Sequence, residues 1–168
     1  MKLLYKQKFL IHELFHLVQF EMNWRDEGAL HGPLGPTWIV EGAAEYVGWR
    51  GVESTGLVTR DAARGCNAKL ALGAPADASL DTLEGEEEFG RVPWALEFGM
   101  LGIGQLLLSR DLPALTTYGG LQAGMPWRTA FESAFGISTT AFYSGFPSYR
   151  AGLSSLASSQ GDCSEDNL

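Results

Sequence analysis

Between residues 3 and 22 the chain reads "LLYKQKFLIHELFHLVQFEM", with apolar side chains on nearly every side of a 3.6-residue period. Such a stretch predicts a helix over 3–22 that is buried all round. "NWRDEGALHGPLGP" follows, and its glycines and prolines predict a loop whose Pro36 leads into a second helix, "TWIVEGAAEYVGWRG". Thr37 is the expected N-cap of that helix and Gly51 its expected stop. A short helix is expected within 54–65, irregular chain over 66–92, and a solvated acidic loop at Glu86 to Glu88. Residues 94–110 predict a third strong helix, in which Gly99, Gly102 and Gly104 weaken helix propensity but allow a neighbour to approach closely. "MPWRTAFESAFG" and "STTAFYSGFPSYRAGL" predict two short amphipathic helices, the first ended by Gly136 and the second capped by Ser138 or Thr139. From Ser154 the residues are small and polar, which predicts a disordered tail over 154–168 behind one helical unit spanning 1–153. No alternating apolar run of strand length stands out ahead of His12, so the expected fold class is mainly α.

Composition narrows the function classes. The 168 residues are 45% hydrophobic and 11% aromatic, enough to bury a core of their own. Twenty acidic residues stand against 12 basic ones, giving a formal net charge of −8, and no Lys/Arg-rich block offers a phosphate-binding face. Nucleic acid is therefore not an expected partner. The longest apolar run, "WALEFGMLGIGQLLL", is broken by Glu97 and Gln105 and is too short for a membrane span. The first residues lack the apolar core and small-residue cleavage site of a signal peptide, so localisation is unreadable from them. Two cysteines, Cys66 and Cys163, could close one long loop in an oxidising compartment, and their wide separation argues against a thiolate metal site.

One feature of the first helix is out of place in an ordinary core: His12, Glu13 and His16 in "IHELFH". Each buried polar group needs a partner. Four residues apart on a helix, the two imidazoles stack on one face and can converge on a single ion. Zinc takes imidazole nitrogen at about 2.0–2.1 Å and favours four tetrahedral ligands. Glu13 lies about 100° further round the helix, where it can reach a water on the metal without binding the metal itself. A catalytic zinc needs a third protein ligand, and Glu41 on the second helix is the candidate. Glu45, one turn on, can accept the free ring N–H of a ligating histidine and fix its tautomer.

"HELFH" followed by "WIVEGAAEY" resembles the gluzincin zinc metallopeptidases, specifically their peptidase MA-like group. The segment "LLLSRDLPALTTYGGLQAGMPWRTAFESAFGISTTAFYSGFPSY" is similar to the helical tail of those proteins. The resemblance implies His12, His16 and Glu41 as ligands of one zinc, Glu13 as general base and Glu45 as an outer carboxylate. It also implies hydrolysis of a peptide or protein substrate by a zinc-activated water. These relatives place a β-sheet ahead of the active-site helix, and only 11 residues precede His12. The expectation is thus the helical, C-terminal portion of a zincin-like catalytic domain, with an extracellular or periplasmic setting if a signal-bearing part precedes it. The resemblance also implies a residue that steadies the oxyanion. Where a tyrosine would be expected, the sequence has Glu97, which leaves Tyr46, Tyr118 and His31 as candidates. A non-catalytic, zinc-stabilised helical module and a metal-free helical interaction domain are the rival classes.

Overall fold

The computed structural model describes residues 3–23 and 35–158. Among them every regular element is helical, and the fold is built round one helix. That helix, α2 (Thr37–Ser54), lies against α1 (Leu3–Met22) on one side and α5 (Ala95–Leu106) on another. α3 (Arg60–Leu72), a 3-10 turn at Leu80–Leu83 and α4 (Glu86–Arg91) lie between α2 and α5 in the chain, and α6 (Pro113–Gln122), α7 (Trp127–Phe135), α8 (Thr139–Gly152) and α9 (Ser154–Ser158) complete it.

α1 and α2 run antiparallel. Lys8 and His12 meet Glu45, His16 meets Glu41, and Gln19 meets the backbone of Val40, so rising numbers on α1 pair with falling numbers on α2. Gly48 permits this approach, because a Cβ there would stand 3.0 Å from the Lys8 carbonyl oxygen. On the other side, α2 and α5 touch backbone to backbone at Gly42 and Gly99. A Cβ on Gly42 would meet the Gly99 carbonyl carbon at 2.4 Å and the Met100 nitrogen at 2.9 Å, closer than any real contact.

Aromatic packing anchors the start of α2. Trp38 is fully buried, stacks on Phe142 with ring centroids 5.6 Å apart, and shares one core with Phe98, Phe131 and Phe146. Its indole Nε1 donates to the Tyr143 hydroxyl at 3.0 Å, and that hydroxyl donates to Glu84 at 2.9 Å. Arg128 completes the chain with two bonds to the same carboxylate. A second, smaller cluster holds the other end of α2 through Trp49, Val52, Leu4 and Met100. Arg150 on α8 donates to the carbonyls of Leu72, Ala74 and Pro75, which satisfies the acceptors left open where α3 ends.

Several sequence expectations need correction. α1 is not buried all round: Leu3, Leu10, Leu14 and Leu17 are half or more exposed, because α2 and α6 cover one side of this helix and none of the described residues covers the other. α2 begins with Thr37 inside the helix and Pro36 as its N-cap, and it runs through Gly51 to Ser54. The helix expected within 54–65 starts at Arg60 and reaches Leu72, with Thr59 capping it through a bond from the Ala62 amide. The span 66–92 is accordingly more ordered than its composition suggests. Glu86 to Glu88 form the first turn of α4, where negative side chains suit the positive end of the helix dipole. The third strong helix ends at Leu106 rather than 110, and α6 is a helix that the sequence pattern does not reveal, since its two glycines and two threonines mask the period. At the expected tail, Ser154–Ser158 form α9, with Ala157 buried against the body. Residues 159–168, including Cys163 and any pairing of it with Cys66, fall outside the described residues, as does His31. Gly136 ends α7 as expected, in the left-handed region at φ 72°, and of the two cap candidates for α8 it is Ser138 that accepts from the Ala141 amide, with Thr139 inside the helix. No described helix is long and apolar enough to cross a membrane.

The Gly42–Gly99 contact makes a sharp prediction. Gly42→Ala should push α2 off α5 and cost about 1–3 kcal/mol, read as a lower urea midpoint with an unchanged slope. A loss under about 0.5 kcal/mol, the range of an ordinary surface change, would mean that the two helices can separate without penalty.

Candidate metal centre

The antiparallel pairing of α1 and α2 brings His12, His16 and Glu41 to one point. Their ligand atoms lie within 4.8 Å of one another, and the group could hold a metal ion. The His12 and His16 Nε2 atoms are 3.1 Å apart, and the Glu41 carboxylate stands 3.4 Å from the first and 3.6 Å from the second. Donors bound at about 2.1 Å in a tetrahedral shell are separated by roughly 3.4 Å, which these three distances bracket.

The other ring nitrogen of each histidine decides which atoms face the centre. His12 Nδ1 lies 3.2 Å from the Glu45 carboxylate, an acceptor only, so Nδ1 carries the hydrogen. His16 Nδ1 lies 2.7 Å from Gln19 Oε1. The Gln19 amide is oriented by its own Nε2, which donates to the Val40 carbonyl at 3.0 Å, so its oxygen must face the ring and accept. Both neutral imidazoles therefore turn a bare lone pair inward, towards each other and towards a carboxylate oxygen. Three acceptors without a donor between them repel unless a proton or a metal cation lies among them. This donor set fits zinc, which takes imidazole nitrogen and carboxylate oxygen alike.

In the metal-free protein protons take that role. Burial works against a charged His12, yet the hydrogen bonds and charges of Glu41 and Glu45 outweigh it and push its pKa up to about 9. The hydrogen bond that His16 donates to Glu41 raises its pKa as well, against the opposing effect of burial. Glu41, bonded to both rings, is held down at about 2. Glu45 is buried, which favours its neutral form, but His12 and Lys8 prevail and lower its pKa. Two further residues complete its shell: Lys8 Nζ donates to Glu45 Oε1 at 2.5 Å and Trp49 Nε1 donates to the same oxygen at 2.9 Å.

The four expected residues of the metal shell are thus assembled as a group. His12 and Glu45 are buried, while the Glu41 side chain is 32% exposed, which opens the group to solvent on that side. Glu13 is exposed on α1 and is not one of the converging residues. The oxyanion candidates fare differently. Tyr118 is buried with its hydroxyl accepting from Gln122, and Tyr46 packs between the two core clusters; neither bonds to a ligand side chain. Burial raises the pKa of Glu97. Sequence reasoning missed Lys8, Gln19 and Trp49. Helical spacing carried the signal, since Lys8 precedes His12 by one turn, Trp49 follows Glu45 by one turn and Gln19 lies on the His16 face. Set against known proteins, the chain matches no family model, no curated protein and no solved structure.

Protons and metal compete for the same nitrogens, which fixes the sign of the pH dependence. Below about 9 zinc must displace the His12 proton, so apparent affinity should climb with pH by up to about tenfold per unit for each proton released, then level off. Titration calorimetry in buffers of different ionisation enthalpy checks it, and a pH-independent affinity between 6 and 8.5 would contradict it. Stability of the metal-free protein runs the other way. The raised His12 pKa contributes fully below its ordinary 6.5 and is lost as pH rises through about 9. The depressed Glu41 pKa contributes above 4.5 and is lost only as pH falls towards about 2. Chelator should therefore lower Tm more at pH 9 than at pH 6.

Proposed function

We propose that this chain carries the zinc centre of a gluzincin-type metallopeptidase and hydrolyses peptide bonds with Glu13 as general base. One observation carries the proposal: the Nε2 atoms of His12 and His16 and a Glu41 oxygen converge as bare acceptors, because Glu45 and Gln19 engage both Nδ1 atoms. Two imidazoles and one carboxylate leave a fourth position for water or substrate, the pattern of a catalytic rather than a structural zinc. When bound, the metal supplies a Lewis acid for the scissile carbonyl and lowers the pKa of water toward ~7.

The rest of the work falls to the chain. Glu13, exposed and next to His12, takes the proton of the attacking water and passes it to the leaving amine. Glu45 holds the His12 tautomer and Lys8 and Trp49 hold Glu45, so the ligating nitrogen stays aimed inward. Gln19 does the same for His16 from the Val40 backbone. The exposed apolar side of α1 supports a further element of the proposal. The β-sheet implied by the resemblance would cover Leu10, Leu14 and Leu17, and its edge would hold the substrate backbone by strand addition. That no strand occurs among the described residues favours a second reading, in which zinc only fastens α1 to α2.

Replacing Glu13 by Gln separates the two. The peptidase reading expects about one zinc per chain in wild type and variant alike, with hydrolysis of an unstructured protein falling by about 10²-fold or more in the variant. Zinc bound without any cleavage by the wild type leaves the structural reading. Equal zinc in wild type and His16→Ala would remove both, since neither survives without the converging ligands.

A further inference from the structure

The side of α1 turned away from the metal ligands carries an apolar stripe that none of the described residues covers. Leu3, Leu10 and Leu17 recur every seven residues, and Leu14 stands one turn from Leu10. At 100° per residue the four fall within about 60° of the helix circumference, roughly opposite His12. They are between 50% and 63% exposed, although leucine is among the residues most often buried. Glu21, exposed and one turn beyond Leu17, ends the stripe.

Charges flank the stripe in an ordered way. Lys6 and Glu13, also seven residues apart, lie along one edge of it, and both are exposed. Neither forms an ion pair among the described residues. Lys6 precedes Leu10 by four residues and Glu13 follows it by three, so two opposite charges stand almost symmetrically about the leucine at the centre of the stripe. A two-fold axis at Leu10 therefore lays the stripe on itself. Leu3 of one helix meets Leu17 of the other, Leu10 meets its own copy, and Lys6 meets Glu13 twice over. Parallel helices would instead set Lys6 on Lys6 and Glu13 on Glu13. Charged residues beside an apolar seam select partner and orientation in this manner.

We propose that α1 is an interface between two copies of this chain, packed antiparallel through Leu3, Leu10, Leu14 and Leu17, with Lys6 of each copy on Glu13 of the other. The sheet supposed on the peptidase reading would take the same leucines, so the two occupants exclude each other. A sheet accounts for the apolar stripe alone, whereas a second copy also accounts for the placing of Lys6 and Glu13. The pairing needs neither zinc nor catalysis. Two helices of 20 residues, about 30 Å long, cover less than the ~800 Å² per partner of a standard interface. The dimer is therefore a weak one, half formed at about 10–100 µM chain.

Sedimentation equilibrium on the full chain tests it, without metal or substrate, so that a failed zinc centre leaves the result untouched. The mass should rise from one chain to two between about 5 and 500 µM and go no further. Leu10→Lys sets a charge against its own copy at the axis and should abolish the rise. Lys6→Glu and Glu13→Lys should each weaken pairing by about tenfold, since two ion pairs become two repulsions. The two substitutions together should restore the wild-type affinity. All three positions are exposed, so circular dichroism should stay native throughout. A monomer at about 500 µM would overturn the proposal and leave the stripe to an overlying sheet. Larger assemblies, a dimer that survives Leu10→Lys, or a double variant no tighter than the single ones would overturn it as well.

Discussion

A carboxylate buried between two helices must collect donors or remain neutral, and Glu45 collects three: the His12 ring, the Lys8 ammonium and the Trp49 indole. Two come from α1 and one from its own helix. That requirement locks the axial register of α1 against α2, since a slip by one turn would leave an ion without its partners in a dry interface. With the register fixed, Glu41 can only fall opposite His12 and His16. The convergence of the three ligand side chains is thus a consequence of satisfying the residue behind them.

Close helix contacts give this arrangement its stiffness. Gly48 lets α1 approach α2, and the Gly42–Gly99 contact lets α5 support α2 from its other side. The Trp38–Tyr143–Glu84–Arg128 chain then fixes the start of α2 against α7 and α8. Glu41 on α2 is thus held from both ends, as the donors of a metal centre would need to be to keep one geometry. Without a metal the site relies on shared protons to offset two inward lone pairs and a carboxylate, a state that a divalent cation would relieve.

α1 has two unlike sides. Its inner side supplies both histidines, Lys8 and Gln19, while its outer side leaves several leucines in water beside Glu13. Contiguous apolar surface of this kind is what contacts with other molecules commonly use. On the peptidase reading that contact and the general base share one face, so substrate access to Glu13 and the covering of α1 are parts of a single question.

By itself the sequence determined the candidate metal-binding residues and the two helices that carry them. The spacing of His12 and His16 forces two imidazoles onto one helical face, and the helix that carries Glu41 and Glu45 follows from the proline that leads into it and its apolar period. Gly136 as a left-handed stop and Ser138 as a cap were equally legible, because each acts through its immediate neighbours. What lay beyond reach were relations between distant positions. Period alone could not say that one side of α1 is uncovered, since burial depends on what packs there. Nor could it find α6, whose threonines and glycines hide a helix held by contacts with α7 and α1. Lys8, Gln19 and Trp49 had the right helical spacing, but only the antiparallel register of α1 on α2 turned spacing into bonds. Tertiary structure decided which nitrogen of each ring faces the centre, because tautomers are set by partners that other elements deliver.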